Sequence, residues 1–373
     1  MLRFSTDHLR KVFADEDKYK NFKKLTYDLN HGNDIYEYDE DGNQRKISKK
    51  EANKAVRKIL MEECDITEDE LKSNKKRKRA IEQHHNEVFE LIETDVDFKV
   101  ETGFRNDEWF EQYVDYRNIA LGDDEEYWTR EKIMLIVAEI SGGHHDLTLQ
   151  NLNEGTSFKL HTRKYGVKIG KDIDLILLGR VDFTELTDKI AEAFLYKVKE
   201  LCYTGVYSAA AKLPNNAQFV KTGALTAATK DSFDTLLEDV GTANDSDVII
   251  MGTKVALKKI NALADIDWRS DSQKESVANT GRLGSYESTE LIEIPQRFAY
   301  NDVTKKLISN TTLLIFAKNQ EKFVWFTDKG ETEITEAGQQ KGDLADDFQS
   351  YEVQRELGVA TRLPQYMGVW NLE

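Results

Sequence analysis

Few residues in this chain are of a type and spacing suited to chemistry. His144-His145-Asp146 follows the Gly142-Gly143 pair, and His161 lies further along. Imidazoles and a carboxylate are competent metal ligands. His144, His145 and His161 together would make the donor set of a metal-dependent hydrolase. Adjacent residues on an extended chain point to opposite sides, however, so His144 and His145 are poorly placed to share one ion. Polar residues at a loop tip explain them more simply. His84, His85 and Glu87 fall in a charged helical stretch, with His84 and Glu87 about a turn apart. That is not the two-histidine arrangement of a zinc-protease helix, and a solvated helix face accounts for it.

Gly166-Val-Lys-Ile-Gly170-Lys171 is the nearest approach to a phosphate loop. It has three residues between the glycines where four are needed, and Asp172 where Ser or Thr would hold magnesium. The chain has no G-x-S-x-G, no G-x-G-x-x-G and no C-x-x-C. Acid pairs such as Asp123-Asp124 and Asp346-Asp347 are too common to single one out for proton transfer. The expectation is a protein that is not an enzyme, with no catalytic residue, no cofactor site and no metal site.

The bulk composition points the same way. The 373 residues are 39% hydrophobic and 32% charged, with a net charge of -16, enough to bury a core in two or three sub-domains. A strongly acidic chain repels phosphate, which disfavours sequence-reading of nucleic acid. Residues 1–100 carry 21 Lys/Arg against 23 Asp/Glu, so the remainder carries almost all of the excess acid. Cys64 and Cys202 cannot make a disulfide framework, and Cys202 falls on an apolar helical face as a small buried hydrophobe. Met1 to Ser5 opens without the apolar run of a signal peptide. The longest apolar stretch, Ile133 to Ala138, is far too short to span a membrane. A chain made and assembled in the cytosol is expected.

The elements that must position these residues follow from periodicity. Lys49 to Glu63 and Ala80 to Thr94 carry apolar residues at helical spacing. The basic run Lys72 to Arg79 between them is read as a solvated helix start rather than a nucleic-acid contact. Residues 34–43 look like a loop or hairpin tip. Ile133 to Ile140 is β-competent. Phe158, Leu160 and Thr162 alternate, as do Tyr165, Val167 and Ile169. This predicts a long two-stranded excursion over 132–178, which needs another surface to lie on. Asp182 and Glu185 match a capping pattern. They open a stripe of Leu186, Ile190, Ala191, Phe194, Leu195, Val198, Leu201 and Cys202 that persists to about Ala211, short of Pro214. Such a helix would be about 40 Å long.

Beyond it, a helix is predicted over Asp231–Val240 and a strand at Val248–Met251. A second helix starts at Thr253, and a glycine turn, Gly281 to Tyr286, leads to a strand at Leu291–Ile294. Strands follow at Leu313–Ala317, Phe323–Phe326 and Tyr351–Ala360. Asp328 to Asp347 reads as an acidic loop.

This order resembles the tailed-bacteriophage major capsid fold, which encapsulin shells share. Arg163-Lys-Tyr-Gly-Val-Lys-Ile169 followed by Leu175-Ile-Leu-Leu178 is similar to that family's run from hairpin to spine. Val181 to Ala211 is similar to its spine helix, Asp247 to Met251 with the helix from Thr253 to its axial core, and Tyr351 to Ala360 to its closing strand. The resemblance covers about residues 130–373. It implies an α+β chain in five parts: an N-terminal arm at 1–130, helical and charge-rich; an extended β-hairpin loop at 131–180; a spine helix at 181–214; an axial domain at 215–300; and a return to the peripheral sheet at 301–373.

The implied function is that of a major head protein assembling through hexamers and pentamers into an icosahedral shell around double-stranded DNA. Its partners would be copies of itself, portal, scaffolding and decoration proteins, and packaged DNA held non-specifically, with no membrane. Its place would be the virion capsid, assembled in the host cytoplasm. Residues 1–100 would be a retained arm or a removable scaffolding segment. The family's inter-subunit cross-link would need a lysine such as Lys159 or Lys164 and an asparagine such as Asn310, and that activity is not carried over. An encapsulin-like compartment and the metal-dependent hydrolase are the alternatives.

Overall fold

The computed structural model describes residues 22, 24–29, 33–38, 44–63, 66–120, 126–129, 156–170, 182–212, 218–263, 271–299, 302–319, 321–337, 350–363 and 365–372. The chain divides into two compact units. The first holds residues 1–111, 162–197 and 328–357, and the second holds 112–161, 198–327 and 358–373.

The first unit is organised by the helix Asn74–Arg105. It starts earlier and ends later than the spacing of 80–94 predicts. Lysine and arginine are good helix formers, so the basic run is taken into the helix. The apolar positions continue past Thr94 through Val96, Val100 and Phe104, all buried. The helix has two buried sides. On one, Gly103 meets Leu195 so closely that a Cβ there would lie 2.6 Å from the leucine Cδ1. Any larger residue at 103 would have to displace the Leu195 side chain. The other side carries Glu93 and Asp97 towards a sheet, and earlier on the helix Phe89 meets Tyr351 of that sheet edge-on, ring centroids 5.1 Å apart.

The strands on that second side are the 328–337 part of Val324–Ala337 and the 350–357 part of Ser350–Thr361. Arg163–Gly170 joins them, antiparallel to 350–357, with Tyr165 opposite Arg355 and Val167 opposite Val353. Tyr351, Val353, Arg355 and Leu357 are buried while Glu352, Gln354 and Glu356 are less so. This is the two-residue alternation of a sheet with one covered face. Within the predicted loop or hairpin tip at 34–43, Tyr36–Tyr38 forms a short strand antiparallel to Gln44–Lys46, and residues 39–43 lie outside the described residues.

In the second unit a mixed six-stranded sheet runs in the order Val220–Thr222, Gly368–Asn371, Thr312–Ala317, Val248–Gly252, Thr289–Glu293 and Ser285–Tyr286. Ile249 to Gly252 are all buried, as the continuous apolar run requires of a central strand. The helix Lys230–Asn244 lays Phe233, Leu236 and Val240 into a core with Ile250, Leu313, Ile315 and Trp370. Thr253 caps the helix Lys254–Lys259, its hydroxyl accepting from the Ala256 N–H at 3.4 Å. Gly368 permits the close pass of the helix Lys230–Asn244, since a Cβ there would lie 2.8 Å from Val240 Cγ2.

Two strands of this unit were not expected from the spacing, Val114–Ile119 and Glu126–Thr129. Glu126–Thr129 pairs with Thr156–Lys159. So the described strands of 132–178 find their partners outside that stretch, at 126–129 and at 350–357. Alternation identifies a half-buried strand but says nothing of what it pairs with. Residues 133–140 lie outside the described residues.

The helix Phe183–Ala211 opens in the first unit and closes in the second, within a residue of the bounds its apolar stripe predicts. Val198, Cys202 and Val206 in its second half are buried. Among the described residues no helix is long and apolar enough to cross a membrane.

Candidate functional site

The residues singled out for chemistry do not converge where they are described. His144 and His145 lie outside the described residues, and His161 is exposed just beyond the strand Thr156–Lys159. No group of three or more His, Cys, Asp or Glu among the described residues is placed to hold a metal ion. His84, His85 and Glu87 lie on the helix Asn74–Arg105. Gly166 and Gly170 sit in a strand paired with 350–357, so this segment is a sheet edge-to-edge partner and not a phosphate-binding turn. Lys164 is exposed and lies 3.8 Å from Glu333. Asn310 accepts a hydrogen bond from Gln296 Nε2 at 2.8 Å through its side-chain oxygen. Cys202 is fully buried, and burial drives its thiol well above the usual range, as its place on the apolar face predicts.

The concentrated electrostatics lie elsewhere, in the first unit. Strand alternation directs Arg355 inward, where only 3% of the residue is exposed. A guanidinium cannot shed its charge, so it must be matched. Its Nε donates to both oxygens of Asp328 at 3.0 and 2.9 Å. Its Nη1 lies 2.9 Å from Asp97 Oδ1 and 3.2 Å from Thr332 Oγ1. The Thr332 hydroxyl in turn donates to Asp97 at 2.5 Å. Burial raises the Asp97 carboxyl above its ordinary range, against the opposing pull of Arg355 and Thr332. One helical turn earlier, Glu93 accepts the Ile334 N–H at 2.5 Å. Burial pushes its carboxyl up to about 8, with the Glu90, Asp97 and Glu331 charges adding to the rise.

A second cluster occupies the other side of the same helix. Lys99 Nζ lies 2.9 Å from Asp95, 3.3 Å from Asp188 and 2.6 Å from the Thr187 hydroxyl. Asp95 also accepts from the Thr26 hydroxyl at 2.6 Å. Asp95 and Lys99 are an i,i+4 pair between buried Val96 and Val100. Chemically, both clusters bind secondary-structure elements to one another. Their carboxylates are engaged by cations and hydroxyls, and the helix Asn74–Arg105 supplies one partner to each. These charges are not among the residues singled out from the sequence. The signal present was phase: Arg355 falls at the inward positions of its strand, and Asp95, Asp97 and Lys99 fall among apolar residues.

Comparison with known proteins supplies the context. No curated protein matches the chain. Solved structures match at low similarity. A virus-like particle protein from Pyrococcus furiosus is 13% identical, with 76% of this chain and 100% of that one covered and a TM-score of 0.42. The capsid of cyanophage P-SCSP1u is 12% identical, covering 71% and 88%, with a TM-score of 0.44. The satellite phage P4 procapsid is 10% identical, covering 74% and 90%, with a TM-score of 0.46. A family profile described as "SPbeta prophage-derived putative capsid protein YonB" matches residues 21–371, nearly the whole length. The chain belongs to this family of phage capsid proteins, structural shell proteins rather than enzymes.

Proposed function

We propose that the chain is the major capsid protein of a tailed phage, with the major capsid fold, and that it assembles through hexamers and pentamers into an icosahedral shell enclosing double-stranded DNA. The observation that carries this reading is the family match across residues 21–371. The physical features agree with it. An acidic chain of net charge -16 can enclose DNA without gripping it tightly. Modest contacts repeated around a closed lattice sum to a stable shell. Assembly takes place in the host cytoplasm, and portal, scaffolding and decoration proteins are the partners in this reading.

The 1–100 segment is retained in this reading rather than removed as scaffold. Residues 88–105 are core: Val88, Ile92, Val96 and Val100 are buried, and Asp97 engages Arg355. A cut at residue 100 would strip one wall from the first unit and leave Arg355 short of a partner. Negative-stain electron microscopy and intact-mass measurement of the purified protein test both points. Shells, hexamers or pentamers built from a chain that keeps residues 74–105 are expected. A compact monomer at every concentration would overturn the shell reading. Particles whose subunits begin after residue 105 would overturn retention.

A further inference from the structure

The most exposed strand of the second unit is Asp302–Lys306. It pairs antiparallel with Phe298–Ala299, and all five of its residues are exposed. Val303 is 78% exposed and Phe298 42% exposed. The base of this hairpin is firmly held. Gln296 Nε2 donates to the Ile308 carbonyl and to Asn310 Oδ1, each at 2.8 Å. Its Oε1 accepts from the N–H groups of Arg297 at 2.9 Å and Ile308 at 3.1 Å. Ile308 itself is buried, and the Leu307 N–H donates to the Arg297 carbonyl at 2.8 Å. A rigid neck thus presents a strand with no covered face. A two-stranded ribbon of this kind is marginal in water, and an open strand edge is a template for another chain.

The charge of the hairpin runs against that of the molecule. Residues 296–308 contain Arg297, Lys305 and Lys306 against Asp302 alone, within a chain of net charge -16. We propose that the hairpin Phe298–Lys306 docks on an acidic face of a second copy of this chain, with Val303 as its apolar anchor, Lys305 on the same side of the strand as its charged contact, and Lys306 on the opposite side adding to the local positive charge. The inference rests on the shell reading, which supplies the second copy. A phosphate backbone would use the lysines but offers nothing to the exposed apolar side chain of Val303. Another acidic protein surface serves both.

The test uses the full chain with Val303→Asp and with the double change Lys305→Glu/Lys306→Glu. Sedimentation velocity and negative-stain microscopy read assembly, and circular dichroism reads folding. Both variants are expected to stay folded and to assemble about tenfold less, as loss of an interface anchor does. Raising salt from about 0.05 to about 0.5 M weakens wild-type assembly by the same screening of the lysines. Folded variants that assemble like the wild type overturn the docking role and leave the shell reading standing. A wild-type chain that forms no particles overturns the shell reading itself. Normal assembly with lost retention of a DNA duplex in a gel-shift overturns the protein partner in favour of nucleic acid. A single Val303→Cys change in a Cys64→Ser background guards against misfolding: maleimide labels position 303 in dispersed subunits and is blocked in particles. Equal labelling in both overturns the proposal.

Discussion

Replacing Glu93 with glutamine isolates one charge of the first unit. The amide keeps an oxygen for the Ile334 N–H and removes the charge that the Glu90, Asp97 and Glu331 carboxylates oppose. Glu93 is raised from its ordinary 4.5 to about 8, chiefly by burial. In the folded chain it therefore holds its proton between about pH 4.5 and 8, while the unfolded chain has released it. The folded state binds more protons across that window, so stability falls as pH rises through it. The shift sets a ceiling of ~5 kcal/mol at 1.36 kcal/mol per unit. Glu93 keeps some solvent access, which lowers the expectation to roughly 2–3 kcal/mol. Urea unfolding of dispersed subunits, followed by tryptophan fluorescence from pH 5 to pH 8.5, measures it. Wild type and Glu93→Gln should have similar stability near pH 5. The variant should become the more stable by roughly 2–3 kcal/mol near pH 8. A stability difference that stays flat across the range would refute the burial of this carboxyl.

Three further outcomes follow from the packing. Arg355→Met leaves the buried Asp328 and the half-buried Asp97 without their cation, and unfolding measurements should show a loss of about 3–5 kcal/mol at pH 7. That loss shrinks at lower pH, where the raised Asp97 carboxyl takes up a proton. Gly368→Ala forces a Cβ to within 2.8 Å of Val240 Cγ2 and should cost about 1–3 kcal/mol by the same assay. Cys202, buried with its thiol pushed up by desolvation, should resist Ellman's reagent in the native chain and react only on unfolding.

The elements legible in the sequence were those with long, regular periodicity. The stripe from Leu186 to Cys202 marked the helix Phe183–Ala211. The unbroken apolar run at Val248–Met251 marked a central strand. Thr253 marked a helix start through its hydroxyl. What was hidden was charge turned inward. The periodicity of 80–94 stops short of the helix end at Arg105: Asp95, Asp97 and Lys99 interrupt the apolar pattern, yet each is paired within the unit. The stretch from Asp328 looked like an acidic loop. The strand Val324–Ala337 takes in its first ten residues, with Asp328 buried against Arg355, a partner 27 residues away, and residues 338–347 lie outside the described residues. Local pattern cannot reveal such pairs, since what makes an inward charge tolerable is a residue distant in sequence. Pairing partners were hidden for the same reason: Arg163–Gly170 announced itself as a strand, but its neighbour is 350–357.

The central claim is that this chain builds a shell. Sedimentation velocity of the purified full-length protein over a concentration series, with negative-stain images of each fraction, tests it most directly. The account predicts a discrete fast-sedimenting species, seen as closed shells or as hexamers and pentamers, in equilibrium with folded subunits. A single folded monomer at every concentration, with no larger species in any fraction, would contradict it.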